Sequence, residues 1–239
     1  MDTNPAPTPY GTPDAPRLAV RGEAHLEADP EIARITITVH ARGTDRHDAL
    51  NDLTRRNTHA LDLIKTYGEA VENIETGTFS ISPQLTRHGR TERVRAYHGR
   101  VHITAELTDF TALGELTTRL ADLELTRVEG PWWALRPDSP THRRARQQAV
   151  REAVQRAREY AEALGTSLAA LVELADIGAE NTPSFAGYGG PAGGMRAAYA
   201  GAADHTTEAA PLDLEPQRQH VYATVNARFT MAPPELKGP

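Results

Sequence analysis

The sequence predicts an α+β fold: mostly antiparallel sheets with helices packed on their faces, in the order β-β-α-β-β-α-β-α-β-β. Three observations carry this reading. Ile32 to Arg42 and Val221 to Thr230 alternate apolar and polar residues without error, the period of a half-buried strand. The segments around Leu50–Ile64 and Ser139–Leu164 instead repeat every three to four residues, the period of a helix with one buried stripe. Strand patterns follow one another in pairs, so hairpins dominate.

Each element has its own justification. Leu18, Val20, Ala24 and Leu26 share one face of a first strand, and Asp29-Pro30 is a turn signal that suggests a hairpin with the second. In that second strand Ala33, Ile35, Ile37, Val39 and Ala41 point inward, and Arg34, Thr36, Thr38, His40 and Arg42 outward. Thr44 or Asp45 is placed to cap a helix whose stripe is Leu50, Leu53, Asn57, Ala60, Leu61 and Ile64, with Gly68 after its end. Strands over 71–85 and 92–107 flank a hairpin tip at Arg87-His88-Gly89-Arg90. Asp109 caps a short helix carrying Leu113, Leu116, Leu120 and Leu123. The strand over 126–135 contains Gly130-Pro131, which belongs at a bulge or a sheet edge. In the longest helix Ala145, Ala149, Ala153, Ala157 and Ala161 recur every four residues, so this helix can lie close against a sheet. A strand over 169–177 and the strand over 221–230 close the fold.

Composition bounds the function. With 39% hydrophobic and 24% charged residues, the 239-residue chain can bury a core. The absence of cysteine excludes disulfides, thiolate metal sites and a cysteine nucleophile. A net charge of −6 argues against a general nucleic-acid binder. No apolar run is long enough for a membrane span. The proline-rich start, with Pro5, Pro7, Pro9, Pro13 and Pro16, lacks the basic and apolar regions of a secretory signal, so the expected location is cytoplasmic. The expected organisation is a disordered arm at 1–16, one domain at 17–231 with a long flexible loop at about 178–216, and a disordered tail at 232–239.

No catalytic, cofactor or metal set emerges. His98 and His102 lie in a strand pattern, where four residues span about 13 Å, too far to share an ion. His25 and His40 would share the polar face of the first hairpin, with no third ligand in view. Gly187–Gly194 has the composition of a phosphate loop without its order or spacing. No serine lies in a nucleophile elbow. The helix over 142–158 carries Arg143, Arg144, Arg146, Arg151, Arg156 and Arg158 against Glu152 alone, a local basic stripe in an acidic chain. Trp132 and Trp133 are adjacent and must point to opposite faces of a strand. Trp132, Trp133, Arg143, Arg144, Arg151 and Arg158 are therefore the candidate interface residues.

The motifs also carry a family resemblance. Val20-Arg21-Gly22-Glu23-Ala24 with Ala28-Asp29-Pro30-Glu31-Ile32-Ala33, Asn73-Ile74-Glu75-Thr76 with Phe79-Ser80-Ile81-Ser82-Pro83, Ala145 to Ala161 with Ala163-Leu164-Gly165, and Val221-Tyr222-Ala223-Thr224-Val225 with Phe229 stand in the order of the SIMPL-domain family. The chain resembles that family over about 17–231; it includes YggE-type bacterial proteins and a periplasmic immunogenic protein. The resemblance implies no established enzymatic activity, no settled catalytic residues, a link to oxidative and other stress, and ring-like or channel-like homo-oligomers in some members. Many members are exported, from which this chain's start departs. Its Gly/Ala/Pro-rich loop is also longer than usual. The expected function is therefore non-enzymatic binding or self-assembly, with a homo-oligomer as the expected partner state and no small-molecule ligand identified. Two alternatives stand beside it: a nucleic-acid-binding module using the arginine-rich helix 142–158, a partner not expected of an acidic chain, or an enzyme with a site of His40, Arg42, His98 and neighbouring acids on the polar sheet face.

Overall fold

The computed structural model describes residues 11–85, 94–176 and 210–236. Their elements are β1 (Arg17–Ala28), β2 (Ile32–Gly43), α1 (Arg46–Lys65), β3 (Val71–Leu85), β4 (Val94–Leu107), α2 (Phe110–Ala121), β5 (Thr126–Ala134), α3 (Pro140–Ala163), β6 (Leu168–Asp176) and β7 (Gln219–Met231). This is the order read from the sequence, and the fold is α+β with antiparallel sheets. The tip at 87–90, the glycine-rich run at 187–194, most of the expected arm and loop, and the last residues of the expected tail, 237–239, lie outside the described residues.

The strands form a four-stranded sheet, β3-β4-β2-β5, and a three-stranded sheet, β1-β7-β6. Each belongs to its own compact unit, one built from 29–137 and 202–219, the other from 1–28, 138–201 and 220–239.

In the four-stranded unit, α1 lies across β2 and β4, and α2 against β5 and β2. Asp45 starts α1 by accepting hydrogen bonds from the backbone amides of His47 and Asp48, at 2.7 and 2.9 Å. Asp109 starts α2 in the same way, through Thr111 and Ala112. Under the helices Ile35, Ile37, Val39, Ile103, Leu107, Ile64, Leu113, Leu116 and Leu120 are all fully buried. Ile37 pairs with Ile103 on one side and Val128 on the other, which places it at the centre of the layer. The pairing of β2 with β5 breaks register between Arg34 and Thr36, opposite Gly130-Pro131, and β5 is an edge strand, so both readings of that dipeptide hold. The segment after residue 209 runs against α2. The Leu212 amide donates to Thr118 Oγ1 at 3.0 Å, and a Cβ on Gly114 would stand 2.3 Å from the Leu212 carbonyl oxygen, so only glycine admits this approach.

In the three-stranded unit, β7 lies between β1 and β6, and α3 packs chiefly on β1. The helix face is the alanine ladder: Ala145, Ala149, Ala153, Ala157 and Ala161 are buried. Opposite it stand Val20, Gly22 and Ala24 of β1 and Val225, Ala227 and Phe229 of β7. The approach is closest at Gly22, where a Cβ would lie 2.0 Å from the Ala149 carbonyl oxygen and 2.6 Å from the Ala153 amide nitrogen. Alanine on the helix and glycine on the strand thus bring two backbones into contact.

Two expectations are corrected. β1 and β2 do not form a hairpin: β1 pairs with β7, almost two hundred residues away, and β2 with β4 and β5. A turn signal between adjacent strands therefore marks a crossover between sheets here. Thr38, read as outward and expected not to be buried, is 5% exposed. β2 is an interior strand, so neighbours on both sides cover Thr38, and its hydroxyl hydrogen-bonds His102 Nδ1 at 2.9 Å.

Candidate functional site

Three surfaces carry the residues that could act. The first is the open face of the four-stranded sheet, opposite its helices. Strand pairing brings Arg42 beside His98, His40 beside Arg100, and Thr38 between His102 and Arg127. His40, Arg42 and His98, named together from the sequence, are thus neighbours on one face. Acids of this face are engaged at one end: Glu106 with Arg34, Glu129 with Arg127 at 2.7 Å, and Glu75, which accepts from Asn73 Nδ2 at 3.0 Å. Arg42 and Arg100 have no carboxylate partner among the described residues. The face is consequently electropositive. Partial burial, then the charges of Arg100, His102, Arg127 and His98, hold the His40 imidazole below its ordinary pKa. The histidines do not converge. His98 Nε2 meets Gln84 Oε1 at 2.9 Å and His102 meets Thr38, which agrees with the strand spacing that denied them a common ion.

The second set, the candidate interface residues, is divided between the two units, the tryptophans in one and the arginines in the other. Trp133 turns inward, half-buried, with its ring edge-on to Phe110 at 4.7 Å between centroids. Trp132 faces the other way, opposite Arg34, and is 51% exposed. In the other unit Arg143, Arg144, Arg151 and Arg158 are exposed, with Arg144, Arg151 and Arg158 seven residues apart on one helical stripe. Arg156 leaves that stripe: it donates to the Arg21 carbonyl at 2.9 Å and to Glu152 at 2.8 Å.

The third surface is β6, which the sequence pattern did not single out. It is an edge strand, and Leu171, Val172 and Leu174 are 54%, 42% and 47% exposed. Leu171 pairs with Phe229 and Leu174 with Ala227, both buried residues of β7. The apolar layer therefore continues to the sheet edge, which a helix packed chiefly on β1 covers little. Edge position depends on which strands pair, and strand pairing between distant segments has no signature in local periodicity. The same blindness hid a contact between His25 and His220: their ring nitrogens Nε2 and Nδ1 are 2.9 Å apart, whereas His25 and His40 belong to different sheets.

A family model described as SIMPL, protein of unknown function (DUF541), matches residues 18–229, nearly all of the segment that carries both sheets. The chain belongs to the SIMPL family. Among its relatives in the family are the 26 kDa periplasmic immunogenic proteins of Brucella melitensis and Brucella abortus, each 23% identical over 168 residues. Another is a protein named YggE in Edwardsiella ictaluri, 22% identical over 158 residues. These matches cover 65–67% of the chain and 66% of each relative's own length. The SIMPL relatives from Brucella also correct the cytoplasmic expectation: they are named periplasmic, which points outside the cytoplasm. That expectation rested on the lack of a signal pattern and of a membrane-spanning run in the sequence. No described helix is long and apolar enough to cross a membrane.

Proposed function

We propose that this SIMPL protein works in the periplasm without catalysis, by assembling with copies of itself. The observation that carries the proposal is the apolar edge of β6. A sheet edge offers unpaired backbone donors and acceptors, and natural edges are usually guarded by lysine, proline or a covering element. β3 contains Pro83 and breaks register with β4 three times, and β5 contains Pro131. β6, Leu-Ala-Ala-Leu-Val-Glu-Leu-Ala-Asp, has neither proline nor lysine. It has two register breaks of its own, and Leu171, Val172 and Leu174 stay in solvent. A second copy offers the matching apolar edge, and the exposed arginines of α3 complement a chain whose net charge is −6. The periplasmic names of the Brucella relatives support the location.

Absence of catalysis is supported by the chemistry of the open sheet face. His98 and His102 are bound to Gln84 and Thr38, and the acids Glu106 and Glu129 are engaged by arginine. A second reading is favoured by Arg42 and Arg100, which have no acidic partner among the described residues and stand beside His40 and His98: the face would hold an anionic ligand. Light scattering on the purified protein tests the first reading. A mass that is a multiple of the chain, reduced by Leu171→Asp with Leu174→Asp, supports assembly through β6. A mass near 26.0 kDa for the unaltered chain overturns it.

A further inference from the structure

The three-stranded unit has an open face of its own, opposite α3. On β1 the residues facing α3 are Val20, Gly22 and Ala24, so His25 and Glu27 point the other way. On β7 the inward residues begin with Val221, so His220 and Tyr222 also point away. Pairing of β1 with β7 brings these side chains together. His25 Nε2 lies 2.9 Å from His220 Nδ1, and His220 Nδ1 lies 3.8 Å from Glu27 Oε1. One ligand atom from each of the three residues falls within 4.8 Å of the other two.

We propose that His25, Glu27 and His220 form a divalent-metal site of the zinc class, with three protein ligands and an open fourth position. Tetrahedral zinc with bonds of about 2.0–2.1 Å holds neighbouring ligand atoms about 3.3 Å apart. The observed separations of 2.9 and 3.8 Å bracket that value, and the third lies within 4.8 Å, so rotation about the side-chain bonds of the three residues closes them on one ion. The donor set selects the ion: two imidazoles and one carboxylate suit zinc, copper and nickel, whereas calcium and magnesium require oxygen ligands.

The support around the ligands favours a site over a chance meeting of side chains. All three come from paired strands rather than loops, which limits how far their backbones drift. His25 is stacked on Tyr222, with rings 4.5 Å apart and parallel to within 1°, a contact that supports its ring. Two imidazole nitrogens facing each other share one proton at most, and a carboxylate beside them favours a cation in its place. The exposure of all three residues leaves room for entry and for a water or ligand at the fourth position.

The test is titration of the full-length, tag-free protein with zinc chloride by calorimetry, with thermal melts in parallel. The expected result is saturable binding of one zinc per chain. His25→Ala and His220→Ala should each weaken it more than about tenfold. The control His98→Ala, on the other sheet, should leave it unchanged. Zinc should also raise the melting temperature of the unaltered protein and not that of His220→Ala, because an ion that binds the folded chain stabilises it. Tyr222→Ala, which removes only the support, should weaken binding less than loss of a ligand. Absence of saturable binding overturns the proposal, as does binding that survives both His25→Ala and His220→Ala in variants whose circular dichroism matches the unaltered chain.

Discussion

In the four-stranded unit Leu113, Leu116 and Leu120 of α2 meet Ile35, Ile37, Ile103 and Leu107 of the sheet in one cluster, large side chains that fill the space between layers. In the three-stranded unit α3 rests on Ala149, Ala153 and Ala157 and approaches the backbone of β1 at Gly22. The first core gains its stability from apolar volume, and the second from close backbone contact over small residues. The two should fail in opposite directions. Removal of volume leaves a cavity in the first, while addition of volume separates the layers of the second. The difference also bears on function. A core of alanines buries little apolar surface per residue, and its sheet leaves Leu171, Val172 and Leu174 uncovered, so this unit has the most to gain from another surface.

The largest expected effect is in the four-stranded core. Ile37→Ala should destabilise by about 2–5 kcal/mol, because the site lies between Ile103 and Val128 and cannot easily collapse. Denaturant unfolding checks this, and a loss below about 0.5 kcal/mol would show that the layer is not packed as described. Next comes Gly22→Ala. One methyl group placed 2.0 Å from a carbonyl oxygen must push β1 and α3 apart, at about 1–3 kcal/mol. The contrast variant Ala153→Gly removes volume at the same contact and should cost only about 1 kcal/mol, mostly from helix propensity. If Gly22→Ala costs less than Ala153→Gly, the comparison between the two cores fails.

The smallest effect concerns His40. Its folded pKa lies below the unfolded value, so between the two the unfolded chain binds more protons. Stability contributed by neutral His40 is therefore present above about pH 6.5 and is lost as pH falls below it. His40→Gln should flatten this part of the stability-against-pH curve. An unchanged slope in denaturant melts across that range would mean that Arg100, His102, Arg127 and His98 do not act on this ring.

Much of this was legible in the sequence, for reasons that differ from residue to residue. The inward set of β2 and the alanine ladder of α3 are local periodicities, and burial follows them. Asp45 and Asp109 cap their helices because a carboxylate in that position satisfies amides of the first turn. The opposite orientations of Trp132 and Trp133 follow from strand geometry. What local pattern could not supply is which strands meet. It joined β1 to β2 because they are consecutive, whereas β1 pairs with β7. From that one change follow the meeting of His25, Glu27 and His220, and the edge position of β6. Thr38 was misread for a related reason: alternation reveals the face of a residue, and only neighbouring strands decide whether that face is wet.

The most direct test of the account is the mass of the assembled protein by size-exclusion chromatography with light scattering, for the unaltered chain and for Leu171→Asp with Leu174→Asp. The account predicts a discrete multiple of 26.0 kDa for the unaltered chain and a smaller mass for the variant, with the circular dichroism of both alike. A single species near 26.0 kDa for the unaltered chain, or an assembly untouched by the two substitutions, contradicts it.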